Sequence, residues 1–231
     1  MSDRSEIMVI TAHPDDAEFG AAGSIARWTR EGRRVVYVVC TSGDKGTDDP
    51  DITPQQLVKI REKEQKGAAA VVGVSEVVFL RYPDQGLEDT PDFRKAIVRQ
   101  IRKYKPETIV TSDPYRRYIW HRDHRIIGQV TLDAVFPYAR NLPAYPDLIE
   151  EGLMPHMVQK ILFFGAEDVN LRIDITETFD LKLAALHCHE SQMAQLNIPD
   201  LEKRLWDRCR EMAQGADFDL AEAFHQVTVP L

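Results

Sequence analysis

Over its first 136 residues the chain alternates between two periodicities, and this alternation narrows the possible folds more than any single motif does. Strand-like runs at 6–11, 35–40, 77–80 and 108–112 are each followed by a segment, at 17–30, 54–72, 91–104 and 123–136, whose apolar residues recur at helical spacing. The run 35–40, Val-Val-Tyr-Val-Val-Cys, is apolar throughout, as in a strand covered on both faces. The punctuation agrees. Gly32 and Gly73 close the first two helices, and Thr53-Pro54 supplies a cap and a first-turn proline. Such repetition predicts an α/β fold with a mostly parallel sheet and right-handed crossovers. Ligands of such sheets gather beyond the carboxyl ends of the strands. Four loops therefore qualify: 13–16, 42–46, 82–86 and 113–124.

Those loops hold most of the reactive side chains. The first reads His13-Pro14-Asp15-Asp16. Pro14 fixes its own φ and drives His13 toward an extended conformation. Two adjacent carboxylates repel unless a cation sits with them, and a divalent metal answers that need. Capping of the following helix is the structural alternative for either Asp alone. The fourth loop carries a basic aromatic run, 115–120, and then His121-Arg122-Asp123-His124. Its two imidazoles are three residues apart and can face the same way at a helix start. A catalytic zinc takes three nitrogen or oxygen ligands and leaves one position open. His13, Asp15, Asp16, His121, Asp123 and His124 offer six donors, and spacing does not choose among them. His156, His187 and His225 read as packing or surface residues, and His189 is balanced between packing and the site.

Length and composition set the remaining bounds. A chain of 231 residues with 43% hydrophobic content is expected to form one domain over 1–231. A net charge of -8 argues against nucleic acid or an anionic membrane surface as partner. No apolar run approaches the roughly 18 residues of a membrane span, and 1–6 show no signal-peptide core. Cys40, Cys188 and Cys209 are odd in number and lack Cys-x-x-Cys spacing, so they read as reduced thiols in a cytoplasmic protein. Beyond 136 the chain is expected to form a proline-rich loop at 137–157, of functional or subunit-contacting type. Strands near 160–164 and 170–175 follow, then a helix over 177–190 capped by Thr176, a helix within 200–213 and an edge strand at 224–230.

Taken together, Ala-His-Pro-Asp-Asp-Ala-Glu-Phe-Gly (12–20), Thr-Ser-Gly-Asp-Lys-Gly (41–46), Arg61-x-x-Glu64-x-x-x-Ala68, Tyr-Pro-Asp (82–84), His121-x-Asp123-His124 and His189-Glu-Ser-Gln192 resemble the LmbE/PIG-L family of zinc de-N-acetylases. The matching motifs extend over about 6–192. The resemblance implies a Rossmann-like three-layer fold and hydrolysis of the acetamide of an N-acetylglucosamine-type sugar or glycoconjugate. It implies His13, Asp16 and His124 as ligands of Zn2+, Asp15 as general base, and His121 with Asp123 as a transition-state pair. Arg61, Asp44 and Asp84 are then expected as sugar contacts, Arg61 having an ion pair with Glu64 as its structural alternative. Several relatives carry a Tyr two positions before the residue matching His121, where this chain has Ile119. Family habit and the proline-rich segment point to a homo-oligomer. Two other functions fit the same loops. A metal phosphoesterase needs further ligands for a second ion, for which only Asp113 is on offer. A non-catalytic sugar- or nucleotide-binding module would make Asp15 dispensable.

Overall fold

The computed structural model describes residues 6–119, 121–195 and 198–230, so Trp120, at the end of the basic aromatic run, lies outside the described residues. In chain order the elements are β1 (Ile7–Thr11), α1 (Asp16–Arg30), β2 (Val35–Thr41), α2 (Pro54–Val71), β3 (Glu76–Tyr82), α3 (Pro91–Tyr104), β4 (Thr108–Ser112) and α4 (Arg122–Asp133). There follow α5 (Pro146–Glu150), β5 (Lys160–Phe164), β6 (Leu171–Asp174), α6 (Phe179–His187), α7 (Glu190–Met193), α8 (Leu201–Met212) and β7 (Ala221–Thr228). The strands make one sheet in the order β3-β2-β1-β4-β5-β7-β6. The first five are parallel, and β7 runs antiparallel to both β5 and β6.

Side chains of β1 alternate between two cores, as the pleat requires. Met8 and Ile10 pack with α3 and α4 residues such as Ile97, Ile101 and Ile127. Ile7 and Val9 pack on the other face with Ala21 and Ile25 of α1, Ala68 of α2 and Ala185 of α6. Helices thus cover both faces. The chain runs outward from β1 through β2 to β3, then returns to lay β4 on the opposite side of β1. The reversal opens a crevice beyond the carboxyl ends of β1 and β4, where doubly wound sheets bind ligands. His13 of the first loop and His121, just before α4, meet there, their ring centroids 4.4 Å apart.

Several details depart from the sequence reading. The helix expected over 123–136 ends as α4 at Asp133 and passes into a π-helical turn, Ala134–Ala139. Phe136 is extended there (φ -140°, ψ 119°), since the residue before Pro137 is disfavoured in α geometry. The 137–157 segment is not wholly irregular, because it contains α5. It is pinned by the fully buried Arg102, which donates to the carbonyls of Tyr138, Ala139, Asn141 and Ala144. Thr176 does not cap the next helix. Its N–H and hydroxyl both donate to Asp174 Oδ1, and Thr178 holds the cap position of α6. That helix stops at His187, short of the expected 190. The C-terminal strand is interior rather than at the edge: β7 lies between β5 and β6, and β6 forms the edge.

Candidate active site

β1 carries the chain to the switch point and Asp16 opens α1 there. Between them Asp15 adopts a left-handed backbone (φ 95°, ψ -25°), a conformation costing a non-glycine residue on the order of 1–3 kcal/mol. Asp15 occupies the cap position of α1 yet makes no side-chain cap bond, so its carboxylate is not spent on the helix. Two residues of α2, four apart and therefore on one helix face, hold it in place. Arg61 Nη2 donates to Pro14 O at 2.6 Å and Asp15 Oδ2 at 3.2 Å, while Arg61 Nη1 donates to Gly43 O at 3.1 Å. Gln65 Oε1 accepts the Asp15 N–H at 3.0 Å. The guanidinium fits because residue 43 is glycine: a Cβ there would lie 2.4 Å from Arg61 Nη1.

On the other side of the first loop, His13 Nδ1, His124 Nε2 and the Asp16 carboxylate converge. The separations are 3.2 Å between the two nitrogens, 2.9 Å from His124 Nε2 to Asp16 Oδ1 and 3.5 Å from His13 Nδ1 to Asp16 Oδ2. A tetrahedral ion with bonds of about 2.0–2.1 Å spaces its ligands roughly 3.3–3.4 Å apart. The three donors therefore fit one such ion, and imidazole with carboxylate is an appropriate donor set for a divalent metal. His13 Nε2 faces away, 3.0 Å from Asp84 Oδ1 and 3.3 Å from Asp123 Oδ2. Carboxylates behind a liganding imidazole orient the ring and raise its basicity. His13, Asp84, His121 and Asp123 also place donor atoms within 4.8 Å of one another, but the two acids there serve His13 from behind.

The charges respond to this crowding. Burial works against the Asp16 anion, but His124 and His13 overcome it and hold the carboxyl well below the usual range. Burial alone dominates at Asp15 and pushes its carboxyl up to about 6, with Arg61 the main opposing influence. Burial and the neighbouring His13 and His124 lower the pKa of His121. His121 Nδ1 accepts the N–H of Asp123 at 3.2 Å, so the proton of the neutral ring resides on Nε2.

The structure brings His13, Asp15, Asp16, His121, Asp123 and His124 into one crevice. It arranges some of them otherwise than the sequence suggested. The Asp123 carboxylate does not sit on the His121 ring. It faces His13 and accepts the N–H groups of Gln85 (2.7 Å) and Leu87 (3.2 Å), because 85–87 folds over it. Of the expected sugar contacts, Arg61 is 3% exposed and bound to the first loop. It makes no pair with Glu64, which instead accepts from Ser191 N and Oγ. Asp84 is buried against His13, and Asp44 accepts the Asp84 N–H at 2.9 Å. Tyr118, the neighbour of Ile119, is 81% exposed. His189 proves buried behind the site, 3.1 Å from Glu18 Oε2; Glu18 in turn accepts from Gln65. His187 is exposed and paired with Glu202. Sequence reasoning missed Gln65 and Glu18, although the Arg61–Gln65 spacing marks a shared helix face.

A doubly wound sheet with three converging donors that could hold a divalent ion at its switch point, beside the carboxylate that Arg61 holds, is an arrangement suited to metal-dependent hydrolysis. The comparisons name the group. The family model for GlcNAc-PI de-N-acetylases (PIG-L) matches residues 8–135. The diacetylchitobiose deacetylase of Thermococcus kodakarensis is 36% identical over 196 residues, 84% of this chain and 72% of that one. A probable N-acetyl-alpha-D-glucosaminyl L-malate deacetylase 2 of Bacillus anthracis is 26% identical over 225 residues, 93% of this chain and 92% of that one. The solved N,N'-diacetylchitobiose deacetylase from Pyrococcus horikoshii, complexed with its inhibitor MPG, superposes with a TM-score of 0.89 at 28% identity, covering 96% of this chain and 84% of that one. The chain belongs to the PIG-L de-N-acetylase family and is a hydrolase of N-acetyl amides.

Proposed function

We propose that this protein is a zinc-dependent deacetylase of an N-acetylglucosamine-type sugar or glycoconjugate, with His13, Asp16 and His124 as the zinc ligands and Asp15 as general base. The observation that carries the reading is the strained Asp15, held beside the three converging donors without a cap bond of its own. An ion held by His13, Asp16 and His124 would supply Lewis acidity toward the amide carbonyl and toward water near neutral pH. Asp15 accepts the proton of the attacking water as the new C–O bond forms. His121 Nε2–H donates to the developing oxyanion, acting as a neutral donor fixed in its tautomer by the Asp123 N–H. The proton on Asp15 then passes to the amide nitrogen as the C–N bond breaks, leaving acetate and a free amine. Asp123 and Asp84 act through His13, which they orient. Asp44 and Arg61 act through the loops they hold, with the polar edges of those loops toward the sugar.

The test is amine release from N-acetylglucosaminides by Asp15→Asn. Zinc content is expected to stay near one per chain and turnover to fall by at least about 100-fold, the contribution of a positioned base. Turnover close to that of the parent would overturn the mechanism. A single unit over 1–231 is supported by one sheet that takes in strands from Ile7 to Thr228. A cytoplasmic setting is supported by three free cysteines, two of them buried. Among the described residues no helix is long and apolar enough to cross a membrane. Assembly into a homo-oligomer through the 134–157 region is supported by exposed Phe136, Leu142, Met154 and Met157. Its test is the solution mass.

A further inference from the structure

Asp15 is held at two points that differ in kind. Arg61 binds its carboxylate, while Gln65 Oε1 accepts its N–H at 3.0 Å. The second contact bears on the backbone, whose φ of 95° aims the side chain and persists only where the surroundings enforce it. Gln65 enforces it only with its oxygen toward Asp15, and a glutamine amide has both a donor and an acceptor end. Glu18 settles which end faces which way. Gln65 Nε2 donates to Glu18 Oε1 at 3.1 Å, and a carboxylate only accepts, so the amide nitrogen faces Glu18 and the oxygen faces Asp15. The other oxygen of that carboxylate, Glu18 Oε2, lies 3.1 Å from His189 Nε2. Glu18, Gln65 and His189 are all buried. His189 thus stands at the far end of one chain of hydrogen bonds, from His189 through Glu18 and Gln65 to the Asp15 N–H.

We propose that His189 is a positioning residue of the deacetylation, acting through Glu18 and Gln65 to hold Asp15 in its left-handed turn. The inference rests on the deacetylase reading for what Asp15 does, and adds what aims it. Two observations set His189 apart from a packing residue. Ser191 donates to Glu64 through its N–H at 2.8 Å and its Oγ at 2.7 Å. Glu64 precedes Gln65 on α2, so the turn that carries the imidazole is tied to the same helix as the amide it serves. The imidazole is also a poor filler. Its Nδ1 is buried with no hydrogen-bond partner among the described residues, which costs on the order of 1–3 kcal/mol. An apolar pair at 18 and 189 would avoid that loss. What the polar pair provides is a carboxylate fixed at both oxygens, against which Gln65 has one orientation.

The zinc-loaded enzyme tests this with N-acetylglucosaminides as substrates. His189→Met removes the donor and keeps a side chain of similar bulk. It is expected to lower kcat roughly 10- to 100-fold, the effect of a misaimed group, with KM and zinc content near those of the parent. In an Asp15→Asn background the same substitution should lower kcat no further, since its path runs through that carboxylate. Hydrogen exchange at the Asp15 N–H, followed by NMR, should quicken by about tenfold or more in His189→Met while the amides of β1 keep their protection. A merely structural role would move neither of these two readouts selectively. A fall in kcat repeated in full in the Asp15→Asn background, or an Asp15 amide as protected as in the parent, overturns the proposal and leaves the deacetylase reading intact. If His189→Met does not fold, Glu18→Met combined with His189→Met strands no charge and is read by the same two measurements. If the parent releases no amine, the deacetylase reading fails, and exchange at the Asp15 N–H alone decides whether His189 holds that turn.

Discussion

Replacing Arg61 by Met separates the support of the catalytic base from its chemistry. The substitution keeps the aliphatic stem and removes donors to Gly43 O, Pro14 O and Asp15 Oδ2. Because Arg61 is 3% exposed, water does not replace them. Removing one partner of a buried ion pair costs about 3–5 kcal/mol, which for a chain of this size is a Tm loss of roughly 6–20 °C. The loss has a sign with pH. Burial already places the Asp15 carboxyl at about 6, above its ordinary value, and Arg61 is the largest influence pulling it down. Without Arg61 it rises further. Between the unfolded and folded values the folded chain binds the extra proton, so stability falls as pH rises through that window. The Tm gap between parent and variant, both freed of metal, should therefore be narrow near pH 5 and wide near pH 8. The same shift moves the acid limb of the kcat/KM profile of the zinc-loaded variant to higher pH, since Asp15 must be ionised to accept a proton. A gap that is constant with pH, or an acid limb that stays in place, would refute the assignment of Arg61 as the support of Asp15.

Two other expectations follow from the geometry. Chelation should abolish amine release and lower Tm by several degrees, with zinc restoring both, because an ion held only where His13, Asp16 and His124 converge stabilises the folded chain by mass action; Asp16→Asn should weaken zinc binding in a competition titration. Lys182→Met strands the Glu222 charge, 4% exposed, at a cost of about 3–5 kcal/mol in chemical denaturation, and adding Glu222→Gln should recover a large part of that loss.

How legible this molecule is in its sequence depends on the range over which each feature is written. The parallel core is readable because strands covered on both faces, such as the run 35–40 within β2, are apolar without interruption. The crevice is readable because its acids and imidazoles crowd into 13–16 and 121–124, with no solvated role to explain them. The supports of the base are not. Gln65 and Glu18 are helical polar residues that look solvent-facing, and the partner of Glu18, His189, is 171 positions away. The orientation of Asp123 is not legible for a related reason. Proximity in sequence suggested His121, whereas the fold of 85–87 turns the carboxylate to His13. The place of β7 is hidden because its neighbours are set by tertiary pairing, and the local sequence of 221–228 does not say which strands flank it.

That late strand has a consequence for synthesis. Among the described strands β6 pairs with β7 alone, and the acid that neutralises Lys182 is carried on β7. While the chain is still being made, a growing product that has reached residue 215 therefore holds a bare ribbon at 171–174 and an unmatched ammonium aimed into α1. Nascent molecules stalled or cleaved before 221 should be open to chaperone capture and proteolysis, even though every group of the catalytic crevice has already emerged.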